Sequence, residues 1–282
     1  MTGLVLEGGA IRTIYSSGVC DGFLSQGWMA DYVVGVSAGI AYGVSYVSGQ
    51  EGRNLKILER FVNDSRYMGA VNLLRPRNHH SYFGLEFAYD EIPNYLVPYD
   101  YAALAAFPGK VEAGVTNLLT GRTDYYRVPA QDRRSVLLRA SCAMPLLFPI
   151  HEINGKPYLD GGVGDGVPFR RAFRQGCDRA VVVLTRERSF YRPPEKLQEL
   201  ICWRYRAYPE FCRAIRTRAQ RYNEDRARLL ELEKEGRVLT FAPRNTRGFS
   251  RTERDLAKIR ALWQEGRDEA VRRIEEVRSF AR

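Results

Sequence analysis

Ser37 lies between Gly35 and Gly39 in the pentapeptide GVSAG. The apolar run before it, Tyr32–Val34, is typical of a buried strand, and Ala38–Ser48 after it is typical of a helix. Glycines at these positions permit a tight turn from strand to helix that exposes the serine hydroxyl at the edge of a sheet. The helix N-terminus also favours developing negative charge. Ser37 is therefore a candidate nucleophile, and a purely structural turn is the alternative.

A serine nucleophile requires a group that accepts its proton. The chain contains three histidines, His79, His80 and His151, and none lies in the C-terminal position where an α/β-hydrolase carries its base. Aspartate remains: Asp160 stands at a predicted strand end before two glycines, and burial raises the pKa of such a carboxyl group. Asp165 is a local rival, and an Asp-Gly turn without catalytic function is the alternative for both.

The tetrahedral intermediate of ester cleavage requires hydrogen-bond donors for its oxyanion. Gly8, Gly9 and Ala10 stand between a predicted strand and a predicted helix, so their backbone N–H groups can point at one anion. A nucleotide phosphate loop and a plain tight turn are the alternatives. The segment lacks the pattern G-x-x-x-x-G-K-[ST], and Ala10 and Thr13 replace glycines of G-x-G-x-x-G, so dinucleotide binding is not expected.

Short apolar strands alternate with helices over the first two-thirds of the chain, which predicts an α/β fold with a mostly parallel central sheet covered on both faces. The predicted strands are Gly3–Leu6, Tyr32–Val34, Val111–Asn117, Asp124–Val128, Tyr158–Leu159 and Arg179–Leu184, the third and fourth as a hairpin. The predicted helices are Ile11–Gln26, Ala38–Ser48, Ala130–Ala143 and Phe169–Gln175. The candidate residues follow strand ends, where ligands of such folds bind.

The chain divides by composition at residue 185. Residues 1–185 carry the α/β pattern, and within them residues 66–100 are irregular and aromatic, which predicts an insertion near the site. Residues 186–282 are predicted to be a mainly helical extension. It has a helical stretch opening at Pro193, a long helix Pro209–Glu235, one strand in RVLTFAP and a final helix Arg251–Phe280 that packs on the body.

The chain of 282 residues, 45% of them hydrophobic, has the composition of a globular protein. Its five cysteines are scattered and never form C-x-x-C, so neither a zinc site nor a disulfide framework is expected, and reduced thiols fit the cytoplasm. We find neither a secretory signal nor an apolar run of about 20 residues. A cytoplasmic location is therefore expected.

The net charge of +10 is concentrated in the last third. Residues 1–185 contain 18 Lys and Arg against 17 Asp and Glu, whereas residues 186–282 contain 25 against 16. Such a region is either an arginine-rich solvated helix surface or a surface attracted to anionic phospholipid. Nucleic-acid binding is not expected because the basic residues come without a recognition module.

Four segments occur together in one order: EGGAIR at residues 7–12, GVSAG at 35–39, ASCAMPLLFP at 140–149 and DGG at 160–162. In these segments the chain resembles the patatin-like phospholipase family over roughly residues 2–185. The resemblance implies a three-layer α/β/α fold and lipid acyl hydrolysis by a Ser–Asp dyad, without histidine, metal or cofactor.

By motif position, the resemblance assigns Ser37 as nucleophile and Asp160 as base, with Gly161 and Gly162 supporting the aspartate. The backbone amides of Gly8, Gly9 and Ala10 become the oxyanion donors, and Arg12 keeps the family's basic position. Two residues depart from the pattern: Ala10 and Thr13 stand where the family has glycines.

The expected function is a lipid acyl hydrolase of phospholipase, lysophospholipase or esterase type, with a lipid or ester substrate and peripheral contact with an anionic membrane. The alternative is a peripheral membrane or regulatory binding protein with a vestigial site, because the last third is basic and the glycine loop is altered.

Overall fold

The computed structural model describes residues 1–75 and 81–282. Within these residues, eight strands form one sheet: β1 Thr2–Leu6, β2 Tyr32–Val36, β3 Lys110–Asn117, β4 Thr123–Arg127, β5 His151–Ile153, β6 Lys156–Asp160, β7 Arg179–Val183 and β8 Val238–Phe241. The strand order is β5-β6-β3-β2-β1-β7-β8, and β4 pairs with β3. The five strands from β3 to β8 run parallel, while β4, β5 and β6 add antiparallel pairs at one end.

Helices cover both faces of this sheet. They are α1 Ile14–Ser25, α2 Ala38–Val47, α3 Arg53–Phe61, α4 Tyr101–Ala106, α5 Val136–Ser141, α6 Phe169–Arg174, α7 Gln198–Arg204, α8 Pro209–Lys234, α9 Leu256–Arg272 and α10 Ile274–Ala281. Alternate strand residues face opposite sides, so Val33 and Val181 pack with α1, α2 and α9, while Val34 and Val182 pack with α6 and α8. The result is a three-layer α/β/α arrangement.

The neighbours of β3 explain how two distant segments meet. β4 occupies one edge of β3 along residues 112–116, so β2 and β6 share the other edge. There, Val36 at the end of β2 pairs with Gly114, and Asp160 at the end of β6 pairs with the next residue, Val115. Register alone therefore brings Asp160 beside the residue that follows Val36.

The C-terminal residues belong to the same sheet and cover. β8 pairs in parallel with β7, and α9 lies along α1. The two helices approach closely at glycines: a Cβ on Gly18 would lie 1.9 Å from the carbonyl oxygen of Trp263, and one on Gly266 would lie 2.3 Å from that of Tyr15. The predicted domain boundary at residue 185 stays a prediction.

Most predicted elements are present, with shifted ends. The helix predicted over Ala130–Ala143 is shorter than expected and forms only as α5, Val136–Ser141. The Asp132 carboxylate accepts the N–H groups of Arg134 and Val136 and so stabilises a turn in place of the first helical residues. The helical stretch predicted from Pro193 begins at α7. The final helix divides into α9 and α10 at Arg273, whose guanidinium binds the carbonyl oxygen of Thr240 in β8.

Two features were not predicted. β5 pairs with β6 through a hairpin whose turn, Asn154–Gly155, has positive φ at both residues. The region predicted to be irregular, residues 66–100, contains a 3₁₀ turn at Ala70–Leu74 and a π-helical segment at Phe87–Leu96. Part of that region, residues 76–80, lies outside the described residues.

Candidate active site

Ser37 lies at the turn between β2 and α2. Its φ of +55° and ψ of −141° place it in a sparsely populated backbone region, as expected of a strained elbow. The turn is held from β3: the Ser37 N–H donates to Ser141 Oγ at 2.9 Å, and Ser141 Oγ donates to the Gly114 carbonyl at 2.8 Å. Ser37 is buried, with 9% of the residue exposed, and it lines both of two adjoining cavities.

The glycines that flank the turn allow it to lie against β1. A Cβ on Gly39 would lie 2.5 Å from the Leu6 carbonyl oxygen, and a Cβ on Gly35 would lie 3.1 Å from the same atom. A side chain at Gly39 would therefore push α2 away from the strand.

Asp160 ends β6 and faces Ser37. Ser37 Oγ donates to Asp160 Oδ2 at 2.7 Å, and the Gly162 N–H donates to Asp160 Oδ1 at 2.8 Å. Burial raises the pKa of Asp160, while the bond from Ser37 and the positive charge of Arg218 act in the opposite direction. A Cβ on Gly161 would collide with the backbone of β3, so the aspartate turn requires a glycine there.

The other candidate bases lie elsewhere or are not described. The Asp165 carboxylate accepts the Tyr125 hydroxyl at 2.6 Å and is not brought to Ser37. His151 lies in β5, opposite Tyr158. His79 and His80 lie outside the described residues.

The glycine loop follows β1 and reaches Ser37. A Cβ on Gly8 would lie 2.7 Å from Ser37 Cβ, and one on Gly9 would lie 2.7 Å from Thr185 Oγ1. Among the described residues, none accepts a hydrogen bond from the amides of Gly9 and Ala10. Gly8, Gly9 and Ala10 line the same cavity as Ser37. Ala10 has φ of +52°, so it occupies the left-handed conformation that glycine adopts without strain.

Two cavities meet at Ser37. The first, about 150 Å³, is lined mainly by apolar and aromatic side chains such as Val44, Leu138 and Phe148. The second, about 200 Å³, contains Asp160 and the glycine loop together with arginines, among them Arg12. Burial and the neighbouring guanidiniums of Arg251 and Arg186 lower the pKa of Arg12 to about 10. The Ser37 hydroxyl thus lies between an apolar chamber and a cationic cleft.

Cys142 is a second nucleophilic side chain near Ser37, in the wall of the apolar chamber. Burial raises the pKa of its thiol to about 12, so it remains protonated at neutral pH. Across residues 1–75 and 81–282, no group of three or more His, Cys, Asp or Glu side chains is placed to hold a metal ion.

Residues 4–173 match the family model for patatin-like phospholipases. The chain belongs to the patatin-like phospholipase family. Residues 208–282 of this patatin-like protein match a second model, described as a domain of unknown function (DUF6363).

Two relatives extend the comparison. The uncharacterized protein YjjU of Escherichia coli strain K12 is 27% identical over 217 residues, which are 71% of this chain and 56% of that protein. The chain thus spans just over half of that relative. The crystal structure of VipD from Legionella pneumophila aligns with a TM-score of 0.51 and 13% identity, over 96% of this chain and 66% of VipD. At that identity the likeness concerns the fold alone.

Family and fold class, an α/β/α sheet with a helical C-terminal region, are therefore confirmed. The roles assigned to single residues of this patatin-like protein stay predictions. Over residues 1–75 and 81–282, every helix is too short or too polar to cross a bilayer.

The sequence analysis missed two residues that are distant in the chain and support the site by hydrogen bonds. Ser141 supports the Ser37 turn, and Arg218 on α8 donates from Nε to the Gly162 carbonyl at 2.9 Å. Ser141 lies in the ASCAMPLLFP segment, which was the available signal for it. Arg218 stands among many arginines of a polar helix, and no local pattern distinguishes it.

Proposed function

We propose that this protein is a lipid acyl hydrolase with Ser37 as nucleophile and Asp160 as general base. The observation that supports it is the 2.7 Å hydrogen bond from Ser37 Oγ to Asp160 Oδ2, made where the apolar chamber meets the glycine loop. A buried carboxylate with a raised pKa is a suitable proton acceptor for a hydroxyl.

In the first half-reaction, Asp160 accepts the Ser37 proton as Oγ attacks the acyl carbonyl carbon. The amides of Gly8, Gly9 and Ala10 donate to the resulting oxyanion, and each such donor contributes about 3 kcal/mol to the lowering of the barrier. The tetrahedral intermediate then collapses, the bond from carbon to the leaving alkoxide breaks, and Asp160 returns its proton to that oxygen.

In the second half-reaction, water attacks the acyl group on Ser37 and gives its proton to Asp160. Collapse of the second intermediate breaks the bond to Ser37 Oγ, which recovers the proton, and the carboxylic acid departs. The apolar chamber would hold the acyl chain throughout, because its lining excludes water from hydrocarbon.

Covalent labelling and turnover test this proposal. A fluorophosphonate should label the native protein, and a monoacylglycerol should be hydrolysed. Ser37→Ala should abolish labelling, and Ser37→Ala and Asp160→Asn should each lower ester turnover by about 10³-fold or more. Ser189→Ala, an exposed serine, is the matched control and should keep both. Labelling that persists in Ser37→Ala would refute the assignment.

The proposal extends to contact with an anionic bilayer through α7. Leu197, Leu200 and Trp203 are exposed at three-residue spacing, a set we name the α7 surface. Leu197 also lines the cationic cleft, so the surface borders the mouth of the site. Three cations flank these residues in the chain: Lys196 before them, and Arg204 and Arg206 after them. Apolar side chains with cations around them suit the headgroup region of anionic membranes.

Liposome sedimentation tests this contact. Binding should require anionic lipid, weaken as salt rises, and fall several-fold in Leu200→Ser with Trp203→Ser. The exposed Leu230→Ser on α8 is the control and should bind normally. Binding without any ester turnover would favour the regulatory binding protein instead.

The proposed location is the cytoplasm. All five cysteines are unpaired thiols, which supports that location whichever of the two functions the protein has.

A further inference from the structure

Five arginines gather on the polar side of Ser37. Arg12 follows the glycine loop, and the other four come from residues 186–282: Arg186, Arg192, Arg218 and Arg251. Four of them line the cleft that also contains Ser37, and Arg186 lines an adjoining cavity that shares Arg12, Arg192 and Arg251 with it. Among the described residues, the two connected spaces are lined by these five arginines and Lys196 against three carboxylates, Glu7, Asp160 and Glu195.

The three carboxylates are already engaged. Glu7 accepts the Tyr222 hydroxyl and the Thr185 N–H, both at 2.6 Å. Asp160 accepts Ser37, and Glu195 lies 3.5 Å from Arg218. The cleft therefore has an excess of positive charge that its own side chains do not neutralise.

The guanidinium groups are held in place. Arg192 stacks 4.2 Å from the centroid of the Tyr222 ring, and Arg186 stacks 4.0 Å from that of Phe190. Within the described part of the chain, the Nε atoms of Arg12, Arg186 and Arg192 are buried without a hydrogen-bond acceptor. Arg12, Arg186, Arg192 and Arg218 are half-buried, so their like charges repel one another with less screening than on an open surface. An anion that enters the cleft would relieve that repulsion and accept hydrogen bonds from the guanidinium groups.

We propose that this cleft binds the phosphate of an anionic lipid while the acyl ester of the same molecule lies at Ser37. The inference rests on the proposed function, since it names the substrate class of that site. Arginine forks bind phosphate oxygens in pairs, and in a glycerophospholipid only a few covalent bonds separate the ester from the phosphate. A cavity of about 200 Å³ that holds Ser37 and four arginines fits that short separation.

The cleft favours a phosphate that carries no cationic group. A phosphocholine or phosphoethanolamine headgroup would bring an additional positive charge among the arginines, where Glu195 is already paired with Arg218. Lysophosphatidate and phosphatidate therefore match the cleft better than lysophosphatidylcholine or neutral glycerides, which would be weaker ligands of the same site. Because Arg192, Arg218 and Arg251 belong to residues 186–282, the C-terminal region then supplies headgroup recognition to a site whose chemistry belongs to the N-terminal part.

Binding to Ser37→Ala protein tests the headgroup preference independently of turnover. Lysophosphatidate should bind at least about ten-fold more tightly than lysophosphatidylcholine or monoacylglycerol of the same acyl chain. Arg192→Gln and Arg251→Gln should each reduce that preference about ten-fold, and Arg247→Gln, an exposed arginine that does not line the cleft, should keep it. Thermal melting of each variant shows that it is folded.

The outcomes separate this inference from the proposed function. Equal affinity for the three lipids, or a preference unchanged in both arginine variants, would overturn the phosphate site. Inorganic phosphate that binds as tightly as lysophosphatidate would also overturn it, in favour of a free phosphate ligand. Hydrolysis of monoacylglycerol by the native protein with no headgroup preference would leave the acyl hydrolase intact. Preference without any turnover would leave the phosphate site intact and refute the hydrolase.

Discussion

Ala10 and Ser37 both have φ angles above +50°, in the left-handed region where a Cβ costs about 1 kcal/mol or more. At Ser37 this strain accompanies the placement of the hydroxyl beside Asp160, at the boundary of two cavities. At Ala10 the strain has no comparable benefit, because the backbone N–H that we propose as an oxyanion donor is equally present in glycine. The substitution of glycine by alanine in the loop is thus tolerated at a cost in stability.

Ala10→Gly should therefore raise the free energy of unfolding by about 1 kcal/mol, because glycine adopts the left-handed region without strain. Urea unfolding of the variant and the native protein measures this. Ala227→Gly, on the exposed side of α8, is the matched control and should lose about 1 kcal/mol through lower helix propensity. A loss at both positions would contradict the account.

The ionisation of Asp160 predicts the pH dependence of turnover. Asp160 accepts a proton only when ionised, and burial raises its pKa, so kcat/KM should fall as pH decreases through that raised value. The Arg218 cation lowers the pKa of Asp160. Arg218→Gln should therefore move the acid limb to higher pH.

A pH profile of kcat/KM with a neutral ester measures that shift. Arg213→Gln, on an exposed part of α8, is the control and should leave the acid limb in place. An acid limb that stays fixed, or moves to lower pH, in Arg218→Gln would show that Arg218 does not act through the aspartate.

Candidate residues on short local motifs could be found from the sequence, since GVSAG, EGGAIR and DGG each specify a turn within a few residues. The supporting roles of Ser141 and Arg218 could not be found in this way. Their partners, Ser37 and Gly162, lie 104 and 56 positions away in the chain. The strain at Ala10 is also a property of the folded loop, and the sequence shows only that a glycine is missing.

At the scale of elements, the contact between α1 and α9 contains a buried carboxylate. Asp21 on α1 accepts the Trp263 Nε1–H from α9 at 2.7 Å. Burial raises the pKa of Asp21 to about 6, although the bond from Trp263 acts in the opposite direction. The folded protein thus holds this proton more tightly than the unfolded chain does.

Between about pH 4 and pH 6 the folded state binds more protons at Asp21 than the unfolded state, so this residue lowers stability as pH rises through that window. Asp21→Asn keeps an acceptor for Trp263 and removes the charge. The variant should gain roughly 1–3 kcal/mol at pH 8 and little below pH 4.

Urea unfolding at pH 4, 6 and 8 measures the gain. Asp268→Asn, on the exposed side of α9, is the control and should show no comparable dependence on pH. A loss of stability in Asp21→Asn at pH 8 would mean that the charged form is favoured in the helix contact.

Strands with strong apolar patterns and long polar helices can be predicted well from the sequence. The hairpin of β3 and β4 and the helix α8 are examples. β5 has only three residues, and its one signal in the sequence is the Asn154–Gly155 turn that follows it. The division between α9 and α10 at Arg273 depends on a bond to Thr240, so the apolar stripe alone predicted a continuous helix.

At the scale of the whole molecule, the C-terminal region supplies β8 to the sheet and helices to the cover of both sheet faces. α9 covers α1 on one face, and α8 covers Val34 and Val182 on the other. Tyr222 of α8 also reaches the buried Glu7 beside the glycine loop. Residues 1–185 and 186–282 therefore share one core.

A chain of residues 1–185 should consequently fail to fold cooperatively, because apolar side chains on both sheet faces would lose their cover. Circular dichroism during urea unfolding should show a broad transition or none, where the whole chain shows a single sharp one. A truncated chain that unfolds in one sharp transition and hydrolyses ester would instead establish the predicted boundary at residue 185 as that of an independent domain.

The pairing of α1 with α9 also has a consequence for biosynthesis. Tyr15 on α1 donates to Glu269 on α9, a partner 254 positions later. A ribosome adds about 5–20 residues per second. The interval between the synthesis of α1 and that of α9 is therefore on the order of ten seconds or longer. During that interval the nascent chain presents an uncovered apolar helix, and we expect it to need protection from aggregation until α9 has emerged.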